Sequence, residues 1–140
     1  MIKRFASAAL PAMALVLSAC AGPRAQEVSL TAVDMAFQPN LLEVTAGMPI
    51  RLTMTNQGAL EHDFSILEIP METIAATAAP MEDHDMEAMT VEPQLHMAVA
   101  IGMSNTVEFT PTKPGAYEFF CTVPGHKEAG MIGGLIVRER

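Results

Sequence analysis

The sequence predicts an all-β protein, built as a single Greek-key β-sandwich of about eight strands. Three observations lead to this fold class: short segments that alternate apolar and polar residues, glycine and proline turns between these segments, and a length of 140 residues that suits one domain. Alternation with a period of two is typical of strands that bury one face. Several short strands separated by turn residues are typical of β-sandwiches and barrels.

The predicted strands follow this alternation along the chain. Residues 50–55 give the clearest case, because Ile50, Leu52 and Met54 fall on one face. The other predicted strands are 27–33, 41–44, 62–67, 95–101, 106–110, 116–121 and 132–138. The chain has no tryptophan and 6 phenylalanines, so phenylalanine has to supply the bulky part of the core.

The segment 71–92 breaks this pattern. It is acidic and rich in alanine and methionine, and Met81, Asp85 and Met89 stand four residues apart. A spacing of four residues is typical of one face of a helix. We therefore predict an insert in the domain, which forms either a partly helical flap or a disordered loop.

Residues 1–19 predict a lipoprotein signal peptide. Lys3 and Arg4 form a basic start, an apolar stretch follows, and small residues precede Cys20. This pattern resembles a bacterial lipobox, which implies cleavage before Cys20 and a lipid on its sulfur. The apolar stretch is too short to span a bilayer comfortably. An ordinary signal peptide that is cut at another position is the alternative.

The mature chain would then consist of a tether at residues 20–26 and one domain at residues 27–140. We expect it to be an extracytoplasmic, membrane-anchored lipoprotein, in the periplasm or on the cell surface. Its formal net charge would be −10, since the full chain has −8 and two basic residues leave with the signal peptide. An acidic chain disfavours nucleic acid as a partner and favours a basic protein partner through electrostatic steering.

The strongest functional signal is a set of potential metal ligands. Cys121, His126 and Met131 stand five residues apart, and His62 lies far upstream. One thiolate, two imidazoles and one thioether form the ligand set of a mononuclear blue-copper centre. If Cys20 is lipidated, Cys121 has no partner for a disulfide within the chain, and metal ligation would protect its thiol in an oxidising compartment. The motif therefore predicts a copper site.

With this motif the chain resembles the cupredoxins of the plastocyanin, azurin and auracyanin group. The resemblance covers about residues 28–137, and its specific part is the loop that carries the last three ligands. Weaker matches lie at residues 36–39, 44–47, 56–64 and 109–115. The resemblance implies one type 1 copper, with His62, Cys121 and His126 as equatorial ligands and Met131 as the axial ligand.

Together with the predicted lipid anchor, the same resemblance implies a membrane-tethered one-electron carrier rather than an enzyme. Such a carrier cycles between Cu(II) and Cu(I) and exchanges electrons with redox proteins such as a cytochrome or a terminal oxidase. We expect a monomer in which His126 is the more exposed imidazole ligand and a partner docks on an apolar patch. That patch would contain Met35, Ala36, Gly58, Ala59, Pro124 and Gly125.

An extracytoplasmic copper chaperone or storage protein is the alternative function. Thioethers are soft ligands that bind Cu(I), and the insert and its neighbourhood contain several. The candidate ligands of a second copper site are Met81, His84, Met86, Met89, His96 and Met97. Methionines at helical spacing often pack rather than coordinate, so both interpretations of the insert stay open.

The residue after the first histidine departs from the family pattern. Azurin and plastocyanin have an asparagine beside this histidine, whereas Asp63 follows His62 here. An ionised carboxylate accepts hydrogen bonds but does not donate them. We expect Asp63 to accept from the side chain or backbone of Thr122, which would hold the ligand loop. An exposed acid in a turn is the alternative.

Overall fold

The computed structural model describes residues 24–76 and 92–140. This part of the chain contains ten strands and no helix. The strands are β1 (Gln26–Val33), β2 (Ala36–Gln38), β3 (Leu41–Thr45), β4 (Ile50–Asn56), β5 (His62–Ile66), β6 (Met71–Ala76), β7 (Leu95–Val99), β8 (Ser104–Pro111), β9 (Gly115–Phe120) and β10 (Ile132–Arg138).

Several predictions fall outside the described residues. They are the signal peptide at residues 1–19, the lipidation of Cys20, the first part of the tether and residues 77–91 of the insert. Within the two described ranges, a search for helices with the length and apolar character of a membrane span finds none.

The strands form two five-stranded sheets, which confirms the predicted all-β sandwich. The first sheet has the order β2-β1-β4-β8-β6, and the second has the order β3-β10-β9-β5-β7. Strands β1 and β4 pair in parallel, as do β3 and β10, and the other pairs are antiparallel. The second sheet places β5 beside β9, so segments that are far apart in sequence become neighbours.

Alternating residues of both sheets fill the core. Ile50, Leu52 and Met54 of β4 are fully buried, as their predicted common face requires. Phe119 lies at the centre of an aromatic group, with ring centroids 5.2 Å from Phe37 and 5.0 Å from Phe64. Such pairs stabilise a core beyond the apolar area that they bury. Phenylalanine therefore supplies the bulky part of the core, as predicted for a chain without tryptophan.

The prediction of an insert that begins at residue 71 is wrong for its first six residues. Residues Met71–Ala76 form β6, an edge strand that pairs with β8. Its register shifts between Met71 and Ile74, as in a β-bulge. A bulge adds one residue to a strand and interrupts the period-two pattern. This irregularity explains why the sequence pattern did not indicate a strand here. The helical part of the prediction concerns residues 77–91, outside the described residues.

Candidate metal centre

The four predicted ligands come from two parts of the second sheet. His62 is the first residue of β5, and Cys121 directly follows the last residue of β9. His126 and Met131 lie on the loop between β9 and β10, which we call the ligand loop (residues 121–131). Because β5 and β9 are neighbours, His62 lies against the start of this loop. His62, Cys121 and Met131 are fully buried, and His126 is 5% exposed.

Backbone hydrogen bonds close the ligand loop. The backbone N–H of Cys121 donates to the carbonyl oxygen of Met131 at 3.2 Å. The backbone N–H of Met131 donates to the carbonyl oxygen of His126 at 2.9 Å. The amide of His126 donates to the carbonyl of Val123 at 3.0 Å, across a turn in which Gly125 has a φ of 84°. A positive φ is easy for glycine and costly for other residues. The loop therefore has a defined shape that sets the positions of three ligands.

Lys127 links the ligand loop to β9 through an ion pair and a cation–π contact. Its ammonium nitrogen lies 2.8 Å from Glu118 Oε1 and 3.9 Å from the ring centroid of Phe120. Both partners belong to β9. An exposed ion pair contributes little by itself, but the cation over the ring adds a second contact to the same strand. Lys127, which follows His126 in the ligand loop, thus ties this segment to β9 by two contacts.

Three donor atoms converge in the buried space between β5 and the loop. His62 Nδ1 lies 3.2 Å from His126 Nδ1, and Cys121 Sγ lies 3.9 Å from the first and 3.5 Å from the second. Metal bonds of about 2.0 Å to nitrogen and about 2.3 Å to sulfur would put three such donors about 3.5 to 3.8 Å apart around one ion. The observed spacing fits a single metal ion. A cluster of this kind within the described residues is formed by His62, Cys121 and His126.

Burial favours the neutral forms of His62 and Cys121 in the metal-free protein. Burial lowers the pKa of His62, with the neighbouring His126 as a second cause, while Asp34 and Asp63 oppose this shift. The neutral imidazole keeps a lone pair for a metal. Burial also raises the pKa of Cys121 to about 12, and the Asp63 carboxylate adds to the effect. The thiol therefore ionises at neutral pH when a metal replaces its proton.

Gly58 gives the ring of His62 its place. A Cβ atom at residue 58 would lie 2.8 Å from His62 Nε2 and 3.1 Å from Asp34 Oδ1. The first distance is shorter than a van der Waals contact, so a larger residue would displace the imidazole. Among the described buried side chains, His62 Nε2 is the nitrogen or oxygen that lacks a hydrogen-bond partner. Packing against a residue without a side chain, rather than a hydrogen bond, positions this end of the ring.

Asn56 holds the segment that leads to His62. It is fully buried at the end of β4. Its amide nitrogen donates to the carbonyl oxygens of Leu60 at 2.8 Å and Val99 at 3.0 Å, and its side-chain oxygen accepts from the amide of Gly58 at 2.9 Å. All hydrogen bonds of the buried amide thus go to backbone near the site. Neither Asn56 nor Gly58 was identified as a positioning residue from the sequence.

Asp63 joins β5 to the ligand loop. Its carboxylate accepts from the amide of Thr122 at 2.9 and 3.0 Å and from the Thr122 hydroxyl at 2.7 Å. Its own amide lies 3.5 Å from Cys121 Sγ, where it donates to the sulfur. Asp63 is 3% exposed, so it is not an exposed turn acid. Groups that orient metal ligands in this way tune both affinity and geometry.

Comparisons with known proteins agree with this arrangement. The sequence model of the family described as "Cupredoxin-like domain" matches residues 6–137. The copper-resistant cuproprotein CopI of Rubrivivax gelatinosus is 33% identical over 109 residues, which cover 74% of this chain and 61% of that protein. The chain thus matches less than two thirds of that relative. Auracyanin-A of Chloroflexus aurantiacus is 32% identical over 157 residues, and the match covers 93% of each protein. A solved structure of auracyanin B has a TM-score of 0.62 at 27% identity, over 84% of this chain and 91% of that one.

Copper affinity should depend on pH through Cys121. Since the thiol has a pKa of about 12, copper binding releases one proton from it, and the affinity should rise about tenfold per pH unit between about pH 7 and 10. Titrations against a chelator whose own pH dependence is known would measure this slope. A Cys121→Ser variant is the control, in which this slope should vanish. A flat profile for the unaltered protein would show that the thiol is already ionised.

Proposed function

Because this chain belongs to the cupredoxin-like domain family and carries a type 1 copper site, we propose that it is a one-electron carrier rather than an enzyme. The observation that supports this best is the convergence of His62, Cys121 and His126 within 3.2 to 3.9 Å in a buried, hydrogen-bonded setting. A copper ion held by these residues and Met131 supplies one-electron chemistry by alternating between Cu(II) and Cu(I).

The role of the protein in this proposal is to keep the ligands still. Asn56 fixes the segment before His62, Asp63 ties β5 to Thr122, and the ligand loop closes on itself through its backbone. Electron transfer is fast when neither oxidation state requires the ligands to move. Burial of the donors also keeps water away from the site. Both properties suit a carrier.

An apolar surface lies beside the segment that leads to His62. Leu60, Ile101 and Met103 are 46%, 58% and 58% exposed, although all three are large apolar residues. Asn56 connects the two loops that carry them. Its side-chain amide donates to Leu60 O, and its backbone N–H donates to Met103 O at 2.9 Å. We call these three residues the docking surface. It differs from the patch expected from the family resemblance (Met35, Ala36, Gly58, Ala59, Pro124 and Gly125), of which Met35, Ala36 and Gly58 are only partly exposed. A redox partner such as a cytochrome or a terminal oxidase would bind here, attracted by the acidic charge of the carrier if its own surface is basic.

The location of the protein is also part of the proposal. The basic start, apolar stretch and Cys20 support export and attachment of a lipid, which would place the domain outside the cytoplasm and close to a membrane. A tethered carrier searches for its partner near the membrane surface. A monomer is sufficient for this role, since the described residues supply all four ligands from one chain.

A copper chaperone or storage protein is the second candidate. The name of the Rubrivivax relative, a copper-resistant cuproprotein, favours it. Of the proposed ligands of a second site, Met81, His84, Met86 and Met89 lie outside the described residues. His96 and Met97 are unsuited to act together, because the ring of His96 bonds to Ser65 whereas Met97 is buried in the core.

The docking surface can be tested by a change of charge. Met103→Lys should lower the electron self-exchange rate of the copper protein at least about tenfold without moving its visible absorption band, because apolar contact beside the site is lost. Leu67→Lys is the matched control, since Leu67 is also exposed and directly follows β5, five residues from His62, which corresponds to about 16 Å of extended chain. Stopped-flow or NMR line-broadening measurements give the rates. Equal rates in the two variants would reject this surface.

Copper stoichiometry separates the two candidate functions. The carrier should bind one equivalent of Cu(I) under anaerobic, reducing conditions, and a variant with Met81, His84, Met86 and Met89 replaced by Leu or Gln should also bind one, because the type 1 ligands lie elsewhere. A chaperone would bind a second equivalent that this variant loses. The latter result would count against the carrier as the main function.

The lipid anchor has its own test. Cys20→Ser should release the protein from membranes and leave its copper spectrum unchanged, since Cys20 is not one of the copper ligands and precedes β1, the first strand of the domain. Membrane fractionation and mass spectrometry of the mature N-terminus would measure this. Mature unaltered protein that starts at another residue and carries no lipid would show ordinary export instead.

A further inference from the structure

The carboxylate of Asp63 places a negative group beside the metal ligands. Its Oδ2 lies 3.7 Å from Cys121 Sγ, in a region where both residues are buried. Nearby negative charges repel each other strongly in a medium of low dielectric constant. The same charge stabilises Cu(II) more than Cu(I), because the attraction grows with the charge of the cation. Asp63 should therefore lower the reduction potential relative to the neutral asparagine expected at this position.

A chain of hydrogen bonds runs from this carboxylate towards solvent. Ser65 Oγ lies 2.8 Å from Asp63 Oδ1 and also 2.8 Å from His96 Nδ1. Asp63 and Ser65 are two residues apart on β5, so their side chains lie on the same face of the sheet. Ser65 pairs with His96 of the neighbouring strand β7. Ser65 is fully buried, whereas the side chain of His96 is 28% exposed. The series thus connects the buried carboxylate to the edge of the sheet.

The chemistry of the three groups fixes the direction of this chain. A carboxylate only accepts, so the single hydroxyl proton of Ser65 points to Asp63. The Ser65 oxygen then has to accept from His96, which must carry a proton on Nδ1. Hydrogen bonds in series polarise one another, so His96 strengthens the bond that Ser65 gives to Asp63. Both donors place the positive ends of their dipoles towards the carboxylate.

We propose that Ser65 and His96 are positioning residues for the copper site: by donating in series to Asp63 they fix its carboxylate and reduce its effective negative charge, which raises the reduction potential. This inference rests on the proposed one-electron function only for its biological meaning, since the potential is a property of the copper site itself. A merely structural role for the chain would change stability and leave the potential where it is.

Four variants test the proposal through the reduction potential. Asp63→Asn should raise the potential, with at least a tenfold lower Cu(II)/Cu(I) ratio at a fixed applied potential, equivalent to about 59 mV. Ser65→Ala and His96→Leu should shift it in the opposite direction, about threefold in the same ratio, because the carboxylate loses its donors. His96→Asn keeps an N–H close to the position of Nδ1 and should restore most of the unaltered value.

Two controls make the result specific. Glu27→Gln removes an exposed charge from β1 in the other sheet and should shift the ratio far less than Asp63→Asn. In the Asp63→Asn background, Ser65→Ala should have almost no further effect, because residues that act through one group are not additive. Additive shifts, or a rise in potential on Ser65→Ala, would overturn the proposal.

The copper-free protein provides an independent measurement. Nitrogen-15 NMR of His96 should find its proton on Nδ1 in the unaltered protein and a shift towards Nε2–H in Ser65→Ala. An Nε2–H tautomer in the unaltered protein would reverse the direction of the chain and reject the inference, even if a variant failed to bind copper. Slow electron self-exchange together with the expected potentials would instead reject the carrier function and leave this inference standing.

Discussion

The copper site depends on the hydrogen bonds between Asp63 and Thr122. His62 belongs to β5, whereas the other three ligands follow β9, so the site exists only while these two strands stay in register. The sheet itself supplies few bonds here, since the described pairing of β5 with β9 is Ser65 with Phe120. The carboxylate of Asp63 adds three contacts to the first residue after Cys121. A buried acceptor that receives hydrogen bonds destabilises the fold little, whereas one that loses its donors destabilises it by about 1–3 kcal/mol.

The ligand set could be predicted from the sequence because its chemistry is local. Three of four donors lie within one loop, and thiolate, imidazole and thioether at regular spacing have few other uses in combination. The bond between Asp63 and Thr122, expected from the position of an acid beside the first histidine, is present as well. Strands with clean alternation were also predicted, because alternation reports directly on a half-buried sheet. Strand β6 was not, because its bulge removes the pattern that would indicate it.

Residues that act through absence or through distant partners left no such signal. Gly58 matters because it has no side chain where the ring of His62 lies, whereas most loop glycines serve only the conformation of a turn. Asn56 looks like an ordinary residue at the end of a strand, although its side-chain amide bonds both to the loop before His62 and to the end of β7. His96 was predicted as a possible metal ligand, and the structure gives its Nδ1 another partner in Ser65. Only the fold brings residues 65 and 96 together.

The electrostatics of the site favour a protein that keeps its copper, which suits the proposed carrier function better than copper delivery. Burial and the neighbouring carboxylate make an unligated Cys121 thiolate unfavourable, as its pKa of about 12 shows. A bound cation removes this penalty, so the same arrangement that makes the metal-free thiolate costly makes the metal-bound one stable. Release of copper would require either a free thiolate in a buried acidic site or a proton delivered through the closed ligand loop. Under the proposed carrier function, an electron would only have to pass through a ligand to the surface, where His126 is 5% exposed, and no ligand would have to leave the copper.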